Sequence, residues 1–219
     1  MSADKSPSLS VSVLNMDFTR LGESIKAVEE AGADFLHLDI MDGHFVDNIS
    51  FGPDIVKAVS SVTSVPIHTH LMIENPEKFI ERFFESGSDT VTLHVETLNS
   101  GNSSILRMNR IGVSLNPDIP VSRLEPYLEF SESVLVMSVF AGFGGQEFIP
   151  ESLDRISELY RIRETRNYGF RISVDGGINP VTATECVKAG ADEVVAGSYI
   201  SRAENPDEAL KQIRTALRG

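Results

Sequence analysis

The chain has 219 residues, of which 41% are hydrophobic and 23% are charged, and its formal net charge is −13. This length suffices for one complete hydrophobic core, and barrels of this size often form a single domain. The acidic balance argues against binding to nucleic acid or to an anionic membrane, because both require a basic surface. One cysteine, Cys186, excludes an internal disulfide and a cysteine-rich metal site.

The amino-terminal segment Met1–Ser10 is polar and lacks the apolar centre of a secretory signal. Nowhere does the sequence reach the run of about 18 apolar residues that a membrane-spanning helix requires. We therefore expect a cytoplasmic protein with no membrane partner, and we expect it to assemble with identical copies of itself.

Apolar runs recur along the chain and predict eight strands. We place these strands near residues 9–14, 34–39, 66–72, 89–95, 111–115, 133–139, 170–175 and 192–197. Three of the runs follow a similar short segment, in which Gly32, Gly87 and Gly190 each suit the end of a helix. The spacing of these glycines fits repeated units of about 26 residues, eight of which fill the chain.

Asparagine-proline pairs mark three of the expected helix starts. In Asn75-Pro76, Asn179-Pro180 and Asn205-Pro206 the asparagine is a preferred N-cap residue, and proline is favoured at the first helical position. Helices fill the intervals between strands. The fourth is predicted to be the weakest, because the segment from Leu98 to Arg110 is rich in Ser, Asn and Gly.

No linker, charge block or low-complexity segment interrupts this alternation. The sequence therefore predicts one α/β domain over residues 1–219, folded as a (β/α)₈ barrel, with residues 1–8 as a loose tail. The functional site of such a barrel lies at the carboxyl ends of its strands, so reactive side chains are expected there.

Histidines and aspartates end three of the predicted strands. The second strand carries His37 and Asp39 on one face. The third strand ends with His70, and the seventh ends with Asp175. A single such residue is more often hydrogen-bonded than a metal ligand. Four of them at one barrel mouth instead predict a site for Zn²⁺ or another first-row divalent metal, since a shared cation satisfies both carboxylates.

The other histidines have weaker claims to a direct role. His68 has the parity of His70 but lies one layer deeper, which predicts an indirect influence on the metal or plain packing. His94, at the end of the fourth strand, and His44, in a loop, are interpreted as structural residues.

Glycine-rich segments follow the sixth, seventh and eighth predicted strands. Their candidate ligand-binding residues are Gly142, Phe143, Gly144, Gly145, Gly176, Gly177, Gly197 and Ser198. Backbone amides in such segments can approach an anion closely, and this part of a barrel commonly binds phosphate. A single segment is as well explained by a tight turn, whereas three at adjacent strand ends favour a phosphate site.

Three methionines, Met41, Met72 and Met137, also lie at strand ends. Methionines most often belong to the hydrophobic core. Their positions instead suggest a polarizable lining around a reacting centre, so we assign them to the wall of the pocket.

Several long motifs occur together in the order found in one enzyme family. They are His37-Leu38-Asp39-Ile40-Met41-Asp42-Gly43-His44-Phe45-Val46, His70-Leu71-Met72 with Asn75-Pro76, Met137-Ser138-Val139, Gly142-Phe143-Gly144-Gly145-Gln146, Val174-Asp175-Gly176-Gly177 and Gly197-Ser198. Through them the sequence resembles the ribulose-phosphate 3-epimerases, a family of (β/α)₈ barrels, over nearly its whole length. The resemblance implies a metal-dependent isomerase of the pentose phosphate pathway that interconverts D-ribulose 5-phosphate and D-xylulose 5-phosphate.

The resemblance also implies roles for individual residues. It implies one divalent metal, with Zn²⁺ expected and Fe, Mn or Co as alternatives, bound by His37, Asp39, His70 and Asp175. Substrate contacts are implied for Ser12 and His70, and the phosphate is implied to lie against the three glycine segments. Asp39 and Asp175 are implied to transfer protons on opposite faces of C3, through an enediolate.

Five residues depart from the family pattern, namely Phe140, Ala141, Asn15, His68 and Ser173. Phe140-Ala141 borders the expected sugar-phosphate site and therefore leaves the substrate open. The segments Leu14–Asp17 and His94–Thr97 resemble relatives that epimerise D-allulose 6-phosphate, a six-carbon ketose phosphate. An allulose-6-phosphate 3-epimerase is accordingly the alternative within the same class.

Two further interpretations remain open. A decarboxylase or aldolase of the same barrel group would need a catalytic lysine near the second and third strand ends, whereas Lys57 and Lys78 lie in helical patterns. A non-catalytic sugar-phosphate-binding barrel is the alternative from another class, since fold and phosphate loops alone do not make an enzyme. The complete set of histidine and aspartate ligands argues against it.

Overall fold

Eight parallel strands form the wall of a closed barrel in the computed structural model, which describes residues 6–98 and 109–218. They are β1 (Ser8–Ser12), β2 (Phe35–Met41), β3 (Ile67–Met72), β4 (Thr90–His94), β5 (Ile111–Leu115), β6 (Ser133–Met137), β7 (Arg171–Asp175) and β8 (Glu193–Ala196). Consecutive strands are neighbours, and β1 pairs with β8 to close the barrel. The predicted (β/α)₈ barrel is confirmed, and each predicted strand coincides with an observed one.

Helices cover the outside of this wall. They are α1 (Leu21–Glu30), α2 (Pro53–Ser60), α3 (Ile80–Glu85), α4 (Ser152–Arg166), α5 (Pro180–Ala189), α6 (Ser198–Ser201) and α7 (Pro206–Ala216). After β5 the expected helix is reduced to a short 3₁₀ helix, Val121–Leu124, because Pro126 lacks the amide hydrogen that a longer helix would need there. The predicted fourth helix falls mainly on residues 99–108, outside the described residues.

The three repeated helix-to-strand joints share one geometry. Gly32, Gly87 and Gly190 have φ of 96°, 105° and 114°, a left-handed conformation that glycine adopts without strain. The aspartate two residues later in each joint accepts a hydrogen bond of 2.7–2.8 Å from a strand amide: Asp34 from Leu9, Asp89 from Ile67 and Asp192 from Ile172. The repeat therefore exists because each joint ties the end of a helix to a neighbouring strand.

Two of the three asparagine-proline pairs cap helices as predicted. The Asn179 side chain accepts a hydrogen bond from the Thr182 amide, and Thr182 Oγ1 accepts one from the Asn179 amide, which together form a capping box at the start of α5. Asn205 caps α7. The N-cap prediction for Asn75 is wrong: its φ of 52° is left-handed, and its side chain makes no capping bond. An N-cap needs extended backbone to aim its side chain at the first helical amides.

The hydrophobic core lies between the strands and the helices. On β2, for example, Leu36, Leu38 and Ile40 belong to this core, and the alternating residues point into the barrel. Much of the barrel interior is polar, with buried Ser10, Thr92, Ser114, Ser173 and Glu193. Polar side chains at the carboxyl ends of the strands, which we call the mouth, therefore continue a polar interior.

A buried ion-pair cluster occupies the interior below the mouth. Glu193 Oε1 lies 3.2 Å from His68 Nδ1, and Glu193 Oε2 lies 3.3 Å from Arg171 Nη2. The His68 ring also stacks on Phe35, with ring centroids 4.2 Å apart. We call His68, Arg171 and Glu193 the floor cluster. His68 thus lies in the deeper layer that the sequence predicted for it.

The first strand begins at Ser8, the last residue of the predicted tail, and the Ser8 amide donates a hydrogen bond to the Asp192 carbonyl at 2.9 Å. Residues 1–5 of that tail lie outside the described residues. Within ranges 6–98 and 109–218, no helix has the length and apolar character needed to cross a membrane.

We expect Asn179→Ala to lower the free energy of unfolding by about 1 kcal/mol, because the start of α5 loses its side-chain cap. Urea denaturation followed by circular dichroism measures the change. Val181→Ala is the matched control, since Val181 lies in the same helical turn and is 67% exposed. Equal losses from the two substitutions would contradict the capping role.

Candidate active site

The strand register places the four candidate ligands at the mouth of the barrel. Asp39 pairs with His70 across β2 and β3, and Asp175 ends β7. One ligand atom from each of His37, Asp39, His70 and Asp175 lies within 4.8 Å of every other. The structure therefore brings together all four residues that the sequence predicted to converge.

Asp39 is the centre of this cluster. Its Oδ1 lies 3.1 Å from both His37 Nε2 and His70 Nδ1, and its Oδ2 accepts a hydrogen bond from Ser12 Oγ at 3.2 Å. His37 Nε2 also lies 3.8 Å from Asp175 Oδ2. The other three members are almost fully buried, whereas the Asp175 side chain is 17% exposed. Asp175 is thus the member most open to a ligand.

The two carboxyl groups have opposite electrostatic environments. Burial raises the pKa of Asp39, but the charges and hydrogen bonds of His37 and His70 outweigh burial and hold that pKa well below its usual range. Burial and the negative charge of Asp39 raise the pKa of Asp175 to about 7. Without a cation, Asp39 is therefore ionised at neutral pH, and Asp175 is partly protonated.

The two imidazoles also differ. Burial lowers the pKa of His37, but the charge and hydrogen bond of Asp39, together with Asp175 and Glu193, raise it to about 9. At His70 burial dominates and lowers the pKa to about 4. His37 therefore balances the Asp39 carboxylate as a cation, while His70 stays neutral.

The donor set fits a divalent metal ion. Two imidazole nitrogens and two carboxylate oxygens are ligands that first-row metals accept. Carboxylates within 4.8 Å of one another repel unless a positive charge separates them, and the raised pKa of Asp175 reflects that repulsion. A divalent cation removes it. The cluster can therefore hold a metal ion.

A cavity that opens to solvent borders this cluster. Its wall includes Ser12, Asp39, Asp175, Met41, Met72, Met137, Gly142, Phe143, Gly144, Gly145, Gly176, Gly177, Gly197 and Ser198. His37 and His70 lie behind the wall, in contact with Asp39. The predicted metal, phosphate and lining residues thus surround one cavity.

Two glycines of this wall are needed for different reasons. Gly177 has φ of 63°, and a Cβ there would lie 2.5 Å from the backbone nitrogen of Phe148, so the turn itself requires glycine. Gly197 has an ordinary φ of −121°, but a Cβ would lie 3.2 Å from Ser12 Cβ and from Asn15 Nδ2. The tight-turn explanation applies to Gly177, whereas close approach explains Gly197.

Sequence analysis missed residues that support the rim of the cavity. Asn48 Nδ2 donates a hydrogen bond to the Gly142 carbonyl at 2.7 Å. The Arg202 guanidinium packs against Gly145 and brings a positive charge to an acidic chain. No motif marks either residue, because their partners are distant in the sequence. Phe140, one of the departures from the family pattern, lies on the wall and is 51% exposed.

His94, which the sequence analysis interpreted as structural, contacts the candidate ligand His70. His94 Nε2 lies 2.9 Å from His70 Nε2, and its other ring nitrogen lies 3.3 Å from Glu96 Oε1. His94 therefore touches a candidate ligand from behind. Glu96 belongs to the segment His94–Thr97 noted in the sequence, but no role was predicted for it, since a single acidic residue after a strand is unremarkable.

Comparison with solved structures shows the same barrel in distant enzymes. Orotidine 5′-phosphate decarboxylase from Pyrococcus horikoshii superimposes with a TM-score of 0.72 at 20% identity, over 96% of this chain and 99% of that chain. 3-Hexulose-6-phosphate synthase superimposes with a TM-score of 0.68 at 19% identity, over 95% and 99% of the two chains. These similarities establish the fold class, a (β/α)₈ barrel.

The sequence matches the ribulose-phosphate 3 epimerase family over residues 8–201. The ribulose-phosphate 3-epimerase of Synechocystis sp. is 43% identical, over 94% of this chain and 93% of the relative. The enzymes of the same name from Bacillus subtilis and Methanocaldococcus jannaschii are 41% and 43% identical, over 93% and 95% of this chain and 96% and 90% of the relatives. The chain belongs to the ribulose-phosphate 3-epimerase family, which confirms the resemblance of its motifs.

We expect the number of protons released on Zn²⁺ binding to fall as pH rises. His37 and Asp175 must be deprotonated to bind a cation, so their raised pKa values of about 9 and about 7 predict release from both below pH 7. Between these two values only His37 releases a proton, and above pH 9 neither does. Calorimetry in buffers of different ionisation enthalpy counts the protons.

His44→Ala is the control for this measurement, since His44 is an exposed loop histidine outside the cluster. It should leave the proton count unchanged. A count in the wild type that does not vary between pH 6 and pH 9.5 would contradict the raised pKa values of both groups.

Proposed function

We propose that the chain interconverts D-ribulose 5-phosphate and D-xylulose 5-phosphate by inverting the configuration at C3. One observation carries the proposal: the cavity lined by Asp39 and Asp175 is also lined by the glycine segments after β6, β7 and β8. Epimerisation of a ketose phosphate needs proton carriers for one carbon and an anion site for the phosphate. The names of the relatives support the same reaction.

Zn²⁺ is the proposed metal, with Fe, Mn or Co as alternatives of similar ligand preference, and His37, Asp39, His70 and Asp175 would hold it. When bound, the ion supplies a Lewis acid that polarises the substrate carbonyl and stabilises negative charge on the deprotonated sugar. Ser12 orients Asp39 through its hydrogen bond to Oδ2 and lies on the cavity wall, where it can contact the substrate.

Asp39 and Asp175 are the proposed proton carriers. In one direction Asp39 removes the C3 proton and Asp175 delivers a proton to the opposite face, and the roles exchange in the reverse direction. Their environments suit this pairing, because the pKa of Asp39 is held low while that of Asp175 is raised to about 7. Met41, Met72 and Met137 line the cavity and would pack around the reacting carbon.

The phosphate is proposed to lie against residues 142–145, 176–177 and 197–198. Backbone amides carry most of this binding, because glycines offer no side chains and a net charge of −13 opposes an anion. The hydroxyl of Ser198 adds one hydrogen bond to a charged group. Arg202 places a positive charge at the edge of the same region.

D-Allulose 6-phosphate stays the alternative substrate, because Phe140 replaces part of the family pattern on the cavity wall. A non-catalytic binding role is disfavoured, since simple binding of a sugar phosphate requires neither buried aspartate at the mouth. Cytoplasmic localisation, assembly of identical chains and the single-domain division remain predictions.

Asp175→Asn should lower kcat for epimerisation by more than about 10², because an amide cannot carry the proton. The change removes little volume, so the circular dichroism spectrum should persist. In D₂O with excess Zn²⁺, NMR should still show exchange of the C3 hydrogen for deuterium in the epimer that Asp39 deprotonates. The other epimer should not form. Asp39→Asn should show the converse.

Asp47→Asn is the matched control, since it makes the same charge change in an exposed loop at the mouth. It should retain wild-type turnover. If Asp175→Asn keeps activity within a few-fold of the wild type, Asp175 is not a proton carrier.

D-Ribulose 5-phosphate should have a far higher kcat/KM than unphosphorylated D-ribulose, because binding of the remote phosphate holds C3 between the aspartates. The two sugars and D-allulose 6-phosphate can be compared in one assay with metal-loaded protein. Ser198→Ala should weaken use of the phosphorylated sugar by the equivalent of about 1.5–3 kcal/mol.

Similar kcat/KM values for ribulose and its phosphate would show that the glycine segments are ordinary turns. A preference for allulose 6-phosphate would instead keep the phosphate site and replace the proposed substrate with its six-carbon alternative.

A further inference from the structure

A series of hydrogen bonds leads from the candidate ligand His70 into the barrel wall. His94 lies behind His70, with 2.9 Å between their Nε2 atoms. Glu96 lies behind His94, with 3.3 Å between Glu96 Oε1 and His94 Nδ1. Asn116 donates to Glu96 Oε1 twice, from its amide at 3.1 Å and its side chain at 3.0 Å. We call His94, Glu96 and Asn116 the support chain.

The chemistry of the support chain fixes where its hydrogens lie. A carboxylate only accepts hydrogen bonds, so His94 Nδ1 carries a hydrogen toward Glu96. In the tautomer with its single N–H directed at Glu96, His94 presents a bare Nε2 that can accept a hydrogen bond. It accepts from His70 Nε2–H, because two bare or two protonated nitrogens at 2.9 Å would repel. A cation bound at the site requires a bare His70 Nδ1, the nitrogen that lies 3.1 Å from Asp39 Oδ1, and therefore places the His70 hydrogen on Nε2, where His94 accepts it.

We propose that His94 and Glu96 are positioning residues that hold His70 in the tautomer whose bare Nδ1 faces the metal site. The inference rests on the metal centre proposed above and deepens it. A histidine that binds a metal generally donates its other N–H to a fixed partner, which sets the ring orientation and strengthens the ligand. Here an imidazole backed by a carboxylate is that partner.

Packing also fixes the rings in this arrangement. The His94 and His70 rings lie nearly parallel, with centroids 4.9 Å apart and an interplanar angle of 22°. Its other neighbour is Phe45, at 4.7 Å. Both histidines are fully buried. Close contacts with both rings in a buried site thus restrict rotation of His94 and keep its Nε2 directed at His70.

The far end of the support chain is anchored outside the metal cluster. Asn116 Oδ1 accepts a hydrogen bond from the Ala141 amide at 3.0 Å, and Arg155 Nη1 donates to the Asn116 carbonyl at 3.0 Å. His94 and Glu96 lie behind the cavity wall and do not belong to its lining. Substitution of either should therefore affect the metal and spare the contacts to the sugar phosphate.

Two substitutions of His94 separate positioning from packing. His94→Phe keeps an aromatic ring between Phe45 and His70 but offers no acceptor to His70 Nε2–H. His94→Gln loses the ring but can present a carbonyl oxygen to that hydrogen. We expect His94→Phe to weaken Zn²⁺ binding by about 10–100-fold, measured by competition with a chromophoric chelator, and His94→Gln to recover most of it.

Turnover provides an independent readout. In Zn²⁺-loaded His94→Phe, kcat should fall while KM for D-ribulose 5-phosphate stays at the wild-type value. Glu96→Gln is the second variant, for use if His94→Phe does not fold. It preserves side-chain size, removes the carboxylate charge and should weaken Zn²⁺ binding in the same direction.

Wild-type Zn²⁺ affinity in His94→Phe or in Glu96→Gln would overturn the positioning role. Equal losses in His94→Phe and His94→Gln would overturn it as well, because packing alone would then explain both. A wild-type chain that binds no Zn²⁺ would overturn the metal centre itself, and the support role with it.

Discussion

The pairing of β1 with β8 closes the sheet, and the geometry of the whole mouth depends on this closure. Its register runs from Ser8 opposite Glu193 to Val11 opposite Ala196. Closure places Ser12, which follows in β1, beside Asp39 of β2 on one side and near Gly197 after β8 on the other. In an open sheet four strands, β3 to β6, would lie between β2 and β7. In the closed barrel only β1 and β8 separate them, so their aspartates reach one cluster.

Burial of like charges is the cost of that convergence, and the surrounding groups offset it. Asp39 is stabilised as an anion by two imidazoles and a hydroxyl, whereas Asp175 faces the cavity with fewer partners and takes up a proton near neutral pH. Two identical side chains thus acquire different acidities from position alone. Distant enzymes with about 20% sequence identity share this barrel fold. The chemistry therefore depends on the residues at the strand ends and not on the fold itself.

The sequence predicted features that depend on short-range geometry. Alternation along β2 fixed the faces of His37 and Asp39, because side chains of a strand alternate strictly. Asn75 and Asn179 have the same local signal, yet only Asn179 caps a helix, since the backbone at Asn75 is left-handed. The contact of His94 with His70 was beyond prediction, because it requires the register of two strands and the tautomer of two rings.

The floor cluster shows a different kind of constraint. Glu193 is 2% exposed and is compensated by His68 and Arg171 from two other strands. Removal of both partners would leave the buried Glu193 carboxylate without compensation, at a cost on the order of 3–5 kcal/mol, whereas joint replacement of all three residues by apolar side chains is often neutral or stabilising. The cost of a substitution at any one of these three positions therefore depends on the residues at the other two. Replacement of Arg171 alone is expected to cost more stability than the same replacement made together with that of Glu193.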